Sequence, residues 1–196
     1  MTLLSKNKIK YIRSLELKKI RKEEKVFLAE GPKLVGDLLG HLSCTFLAAT
    51  SSWLREHTSV QADEIAEVTQ DELSRASLLK TPQQVLAVFR QPEYVLNTSI
   101  LRDSLCLALD DVQDPGNLGT IMRAAEAAGV TGILMSSDCV DIYNPKTIRS
   151  TMGALYRVPF VVSEDFAGDI ERLKKAGVST DRKSTRLNSS HTRGSR

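Results

Sequence analysis

Asp110, Asp111, Asp114, Asn117 and Arg123 crowd the stretch LDDVQDPGNLGTIMRAAEAAGV, residues 109–130 of a 196-residue chain. An arginine near the opening of a helix can hold a phosphodiester through two parallel hydrogen bonds. An asparagine beside it can place a donor or an acceptor, or simply cap the helix. Asn117 and Arg123 are six residues apart, about 600° of helical rotation, so they share a neighbourhood without sharing one line of sight. Pairing of Arg123 with an aspartate in a purely structural role fits these residues too. The three aspartates carry oxygen ligands for Mg²⁺, but no fourth ligand accompanies them, and no metal site is expected. The glycines form neither GxGxxG nor a Walker loop.

A second cluster, DIYNPKTIRSTMGALYRVPF at residues 141–160, brings Lys146, Arg149 and Arg157 close in sequence. Pro145 suits the first turn of a helix, with Asn144 as its cap. Small residues keep the middle narrow, as a surface for a nucleic-acid backbone would require. Each cation taken alone reads equally well as ordinary surface charge. Tyr143 and Tyr156 suit base stacking or core packing. His41, His57 and His191 show no ligand or triad spacing. Cys44, Cys106 and Cys139 read as small apolar residues.

Alternating apolar runs must position these clusters. Residues 5–24 have helical periodicity. Strand-like runs follow at 25–30, 43–50, 65–68 and 84–90, with helices between them, the third capped by Asp71. A weakly patterned link covers 91–103. The alternation then resumes: strands at 105–110, 131–135 and 159–162, helices at 117–128, 145–152 and 165–175. This predicts two α/β units, a first domain at 1–98 and a second at 104–180. Ligands are expected at the strand ends and following loops of the second.

Charge is unevenly spread. The net charge is +3, yet residues 1–25 carry +6, residues 26–180 carry −7 and residues 181–196 carry +4. Lys6, Lys10, Arg13 and Lys18 therefore mark a basic N-terminal face suited to phosphates. The last 16 residues, DRKSTRLNSSHTRGSR, have nothing to bury and read as a disordered or foreign tail. No run suits a membrane span or a signal peptide, and a cytoplasmic protein is expected.

The motifs together resemble the SpoU/TrmH family of RNA ribose 2'-O-methyltransferases, of the SPOUT class. DDVQDPGNLGTIMRAAEAAGV is similar to the family's first motif, with its joint D-P-x-N-x-G and downstream R-x-A. YNPKTIRSTMGALYRVPF resembles the segment that follows it. KIKYIRSLELKKIRKEEKVFLAEGPKLVGDLL resembles the accessory substrate-binding domain, which is L30e-like. The resemblance covers residues 5–177. It implies an L30e-like N-terminal domain followed by the first half of a trefoil-knot α/β methyltransferase domain. It implies Arg123 and Asn117 as catalytic-motif residues, S-adenosylmethionine as methyl donor, structured ribosomal or transfer RNA as substrate, and a homodimer. Lys6, Lys10, Arg13, Lys18, Lys146, Arg149 and Arg157 are then the expected RNA-binding cations. The family's later motifs, GxExxG and S-L-N-V-S, are missing, so a truncated methyltransferase with an impaired cofactor site is expected. A non-catalytic RNA-binding module and a non-catalytic α/β interaction protein are the alternatives.

Overall fold

In the computed structural model, which describes residues 4–95 and 104–181, the apolar runs VFLAE, CTFLAA and VLAVFR become strands β1 (Val26–Glu30), β2 (Cys44–Ala49) and β4 (Val85–Arg90). With β3 (Ile65–Glu67) they form one sheet in the order β1-β4-β2-β3, antiparallel except for the β2/β3 pair. These strands are apolar on both faces because both faces are covered.

Successive side chains divide between two cores. Val26, Leu28, Phe46, Ala48, Leu86 and Val88 meet Ile12 and Leu15 around helix α1 (Lys6–Ser14), and Leu73 and Ala76 of α5 (Gln70–Ala76). Phe27, Ala29, Leu47, Ala49, Val85, Ala87 and Phe89 face the other way, onto α3 (Pro32–Leu38) and Trp53 of α4 (Ser51–Glu56). A register shift between Cys44 and Phe46 puts Cys44 into this second core, out of phase with the alternation of its own strand.

The second sheet is parallel, in the order β5 (Cys106–Leu109), β6 (Gly132–Ser136), β7 (Phe160–Ser163). Helix α6 (Pro115–Ala127) links the first two strands. Helices α7 (Pro145–Thr151) and α8 (Ala154–Arg157) link the last two, and α9 (Phe166–Lys175) follows. Leu118 and Met122 of α6 and Ile148 of α7 enter the same core as Phe27 and Phe89. Tyr143 stacks on Phe27 at 5.3 Å and meets Phe160 edge-on at 5.9 Å. The two α/β units therefore share one continuous apolar core.

Several boundaries differ from the sequence expectation. The helix expected over residues 5–24 is broken into α1 and α2 (Lys18–Glu24). The cause is Arg21, whose Nη1 donates to the carbonyls of Leu15 and Glu16 at 2.7 and 2.6 Å and holds the chain in a turn there. Helix α5 is capped by Thr69 rather than Asp71. Thr69 and Glu72 exchange side-chain and backbone bonds in a capping box, which satisfies two donors at once. Tyr143 is a core residue, stacked and 9% exposed, and does not present its ring to bases. The tail at 182–196 and the end of the first domain at 96–98 lie outside the described residues.

Candidate RNA-binding and catalytic site

Helix α6 begins at Pro115, with Asp114 as its N-cap residue. Asn117 is thus inside the first turn and does not cap the helix, as its spacing suggested. Its backbone N–H donates to the Asp114 carbonyl. Asn117 and Arg123 are both exposed, and Arg123 sits two turns along the helix, away from its N-terminus. Six residues of helix separate them by about 9 Å of rise, within the span of one nucleotide and its neighbour.

The α6–α7 crossing fixes where Arg123 points. Gly119 is buried against α7 so closely that a Cβ there would lie 2.7 Å from the Ser150 carbonyl carbon. No residue larger than glycine fits without moving one helix. Asn144 caps α7, its Oδ1 accepting from the Lys146 N–H at 2.9 Å. At the other end Met152 and Gly153 both adopt positive φ, 49° and 85°, and turn the chain into α8. That turn places the Met152 sulfur 3.4 Å from Arg123 Nη1.

Arg157 holds the turn. Its guanidinium donates to both carboxylate oxygens of Glu126 on α6, to the Tyr156 hydroxyl at 2.8 Å and to the Met152 carbonyl at 3.3 Å. The hydrogen bond to Glu126 drives its pKa still higher than that of an ordinary arginine. Tyr156 in turn stacks on His41 of the first unit at 4.4 Å. Arg157 is therefore a clamp between α6 and α8, with its donors already engaged.

The remaining expected cations are distributed over two clefts and two helices. Lys6, Lys10 and Arg13 are exposed on α1, and Arg13 also donates to the Ser77 carbonyl at 2.9 Å. Lys18 lines a cleft of about 380 Å³ at the junction of the two units, beside Ser136, Ser137 and Glu164 at the carboxyl ends of β6 and β7. Arg149 lines a second cleft with Lys33, Gln83 and Met152. Lys146 is exposed at the start of α7. Among the described residues, no group of three or more His, Cys, Asp or Glu side chains is placed to hold a metal ion.

One residue central to this geometry has no signal in the sequence. Arg21 sits among exposed lysines, yet it is 2% exposed. Its Nε and Nη2 donate to Asp141 Oδ2 at 3.1 and 2.5 Å, across the junction between the units. Asp141 Oδ1 accepts from the Tyr143 N–H at 3.0 Å. The pair joins the basic helices to the loop that leads into α7.

A parallel α/β unit thus carries an arginine on the helix after its first strand, and a second α/β unit brings a basic helix to its side. Residues 104–194 match the SpoU rRNA Methylase family, and residues 6–87 match the MRM3-like substrate binding domain. The chain belongs to the SpoU rRNA methylase family, whose members are RNA 2'-O-methyltransferases. It is 32% identical over 176 residues to the 23S rRNA (guanosine(2553)-2'-O)-methyltransferase RlmP of Bacillus subtilis, covering 87% of this chain and 67% of that protein. It is 34% identical over 150 residues to the human mitochondrial rRNA methyltransferase 3, covering 72% of this chain and 36% of that one. An AdoMet-bound rRNA methyltransferase from Sinorhizobium meliloti superposes with a TM-score of 0.75 at 32% identity, over 90% of this chain and 68% of that one. The chain thus spans about two thirds of its bacterial relative and little more than a third of its mitochondrial one.

The cofactor of the family is S-adenosylmethionine. One groove of about 450 Å³ runs along one face of the second sheet over Leu107, Ile133, Phe160 and Leu173, and Thr131, Ser179, Thr180 and Asp181 also line it. Strand β5 is half-covered, and Leu105 beside it is 55% exposed. No helix among the described residues is long and apolar enough to cross a membrane.

Proposed function

We propose that this protein methylates a ribose 2'-oxygen of ribosomal RNA, with S-adenosylmethionine as donor, and that it acts in the cytoplasm as a homodimer. The observation that carries the proposal is the placement of Arg123. It is exposed on α6 and touches Met152, which lines the cleft with Lys33, Gln83 and Arg149. The first unit supplies a basic helix for the RNA backbone, and the second presents the arginine.

The family's cofactor supplies an electrophilic methyl group, and the ribose proton passes to solvent or to a nearby base. Arg123 holds the phosphate next to the target ribose through two parallel hydrogen bonds and stabilises charge growing on the 2'-oxygen. Its guanidinium stays protonated at neutral pH, so it acts through field and position and not as a general base. Asn117 orients the same nucleotide from the first turn of α6. Lys6, Lys10, Arg13, Lys18, Lys146 and Arg149 neutralise backbone phosphates, which makes binding steeply salt-dependent.

The test is transfer of labelled methyl from S-adenosylmethionine to ribosomal RNA, with ribose methylation read by nuclease resistance. Arg123→Ala is expected to lower the rate by about 10²–10³ with RNA affinity little changed. An RNA-binding α/β module is the second reading, favoured by the largely apolar lining of the groove over the second sheet. Salt-dependent RNA binding with neither donor binding nor transfer would establish that module in place of the enzyme.

A further inference from the structure

The cleft that Arg149 enters has a composition the backbone-binding cations do not explain. It is about 190 Å³ in volume and lies between α3 of the first unit and the α7–α8 turn of the second. At about 30 Å³ for each water of liquid volume, it displaces roughly six waters. That is room for one flat heterocycle and not for a base pair. Leu34 and Met152 give it apolar walls, while Lys33, Gln83 and Arg149 bring donors and Asp37 an acceptor. Glu30 also lines it, but its oxygens accept from the Ser77 hydroxyl and the Leu78 N–H and are not available to a ligand. Apolar walls with a polar edge suit the faces and rim of a base, whereas a phosphate site would have no use for the walls.

We propose that this cleft is a slot for one unstacked RNA base adjacent to the nucleotide that Arg123 addresses, with Lys33 and Gln83 setting its specificity beside Arg149. The inference rests on the proposed RNA methylation and adds the nucleotide-reading element to it. Met152 makes the link, since it lines the slot and also meets Arg123 at 3.4 Å. A rim rich in donors prefers an acceptor edge, and the O6 and N7 atoms of guanine are the best match for an arginine or a lysine. Asp37 is then left to accept from the guanine N–H groups. The slot opens only to a single strand, loop or bulge, because a paired and stacked base cannot turn out to sit between the walls.

The test is fluorescence-anisotropy titration of the chain with labelled RNA strands about ten nucleotides long: alternating G and U, alternating A and U, and an abasic ribose-phosphate strand. A base held between the apolar walls gains burial that an abasic sugar lacks, so the GU strand should bind about tenfold tighter than the abasic strand. The double variant Lys33→Ala, Gln83→Ala should bring the GU and AU strands to near-equal affinity, with abasic binding reduced a few-fold at most. Leu34→Trp fills the slot and leaves every charge in place, and it should remove the advantage of both base-bearing strands. Lys10→Ala, on α1, should weaken all three strands alike. Should Leu34→Trp unfold the protein, the exposed pair Lys33 and Gln83 still decides the question. Retention of full GU preference in the double variant, or equal binding of GU and abasic strands by the parent, overturns the slot while RNA binding stands. Binding of none of the strands overturns the RNA function itself, and the slot with it.

Discussion

Removing the Asp141 carboxylate should unfold this protein far more readily than its half-exposed position suggests. Asp141 is 16% exposed, but its partner Arg21 is 2% exposed. Asp141→Ala leaves the Arg21 charge buried with only the Leu15 and Glu16 carbonyls for company, and frees the Tyr143 N–H as well. Breaking a buried pair from one side costs about 3–5 kcal/mol, because the uncompensated charge remains. For a chain of this size each kcal/mol moves Tm by about 2–4 °C, so a value of about 4 kcal/mol predicts a fall of roughly 8–16 °C. Arg21→Met should cost less, about 1–3 kcal/mol. It removes the buried charge and leaves Asp141 close enough to solvent to be hydrated, although two carbonyls lose their donor. The double variant should then be more stable than the sum of the singles implies, by about 2 kcal/mol. Urea and thermal unfolding followed by circular dichroism give all four corners of the cycle. A cost below 1 kcal/mol for Asp141→Ala, or a coupling energy near zero, would refute the claim that this pair ties the two units together.

Gly119→Ala should destabilise by about 1–3 kcal/mol, although alanine normally favours a helix, because the new Cβ meets the Ser150 backbone; a urea midpoint equal to the parent's would contradict the close approach. Thr69→Ala should cost about 1 kcal/mol by breaking the capping box. Hydrogen bonds from the Thr69 N–H and hydroxyl hold the Glu72 pKa below the usual carboxylate value, so this contribution is present above the unfolded glutamate pKa and is lost as pH falls through the depressed one. The difference between parent and Thr69→Ala should therefore shrink in acid, as unfolding titrations at pH 7 and pH 3 would show. Burial pushes the Glu30 pKa the other way, above its ordinary value, against the Ser77 and Leu78 hydrogen bonds and the nearby Arg149 and Arg13 charges. Its contribution is present below the unfolded pKa and fades as pH rises through the folded one. Glu30→Gln should thus gain on the parent as pH rises from about 4 to 7, and an unchanged difference across that range would count against a desolvated carboxylate there.

Much of this fold was legible in the chain. The strands at 26–30, 44–49 and 85–90 are almost wholly apolar, broken only by Thr45 and by Glu30 and Arg90 at their ends, and such runs demand cover on both faces. The Asn144–Pro145 start of α7 follows from cap chemistry and from proline's fixed φ. The joint spacing of Asp114, Asn117, Gly119 and Arg123 carried the family resemblance. The details that failed were those in which a residue's partner is distant in sequence. Asp71 and Thr69 are equally good caps on paper, and only the reciprocal Glu72 bonds decide between them. Tyr143 reads equally as a base-stacking ring or a core residue until Phe27 and Phe160 decide for the core. That Arg157 pairs with Glu126, 31 residues away, is likewise invisible in the chain.

By itself the sequence determined the elements, the alternation that makes two α/β units, and the basic character of the first helix. These are set by local periodicity, capping and charge, which act over a few residues. Only the tertiary structure decided that the units share one core, that Arg21 is buried against Asp141, and that Lys33 and Gln83 meet Arg149 in one cleft. Residues 21 and 141 are 120 positions apart, and no local rule can pair them. Their meeting follows from the close packing of two sheets and their helices around a common apolar interior, in which a buried charge must find its partner or be excluded.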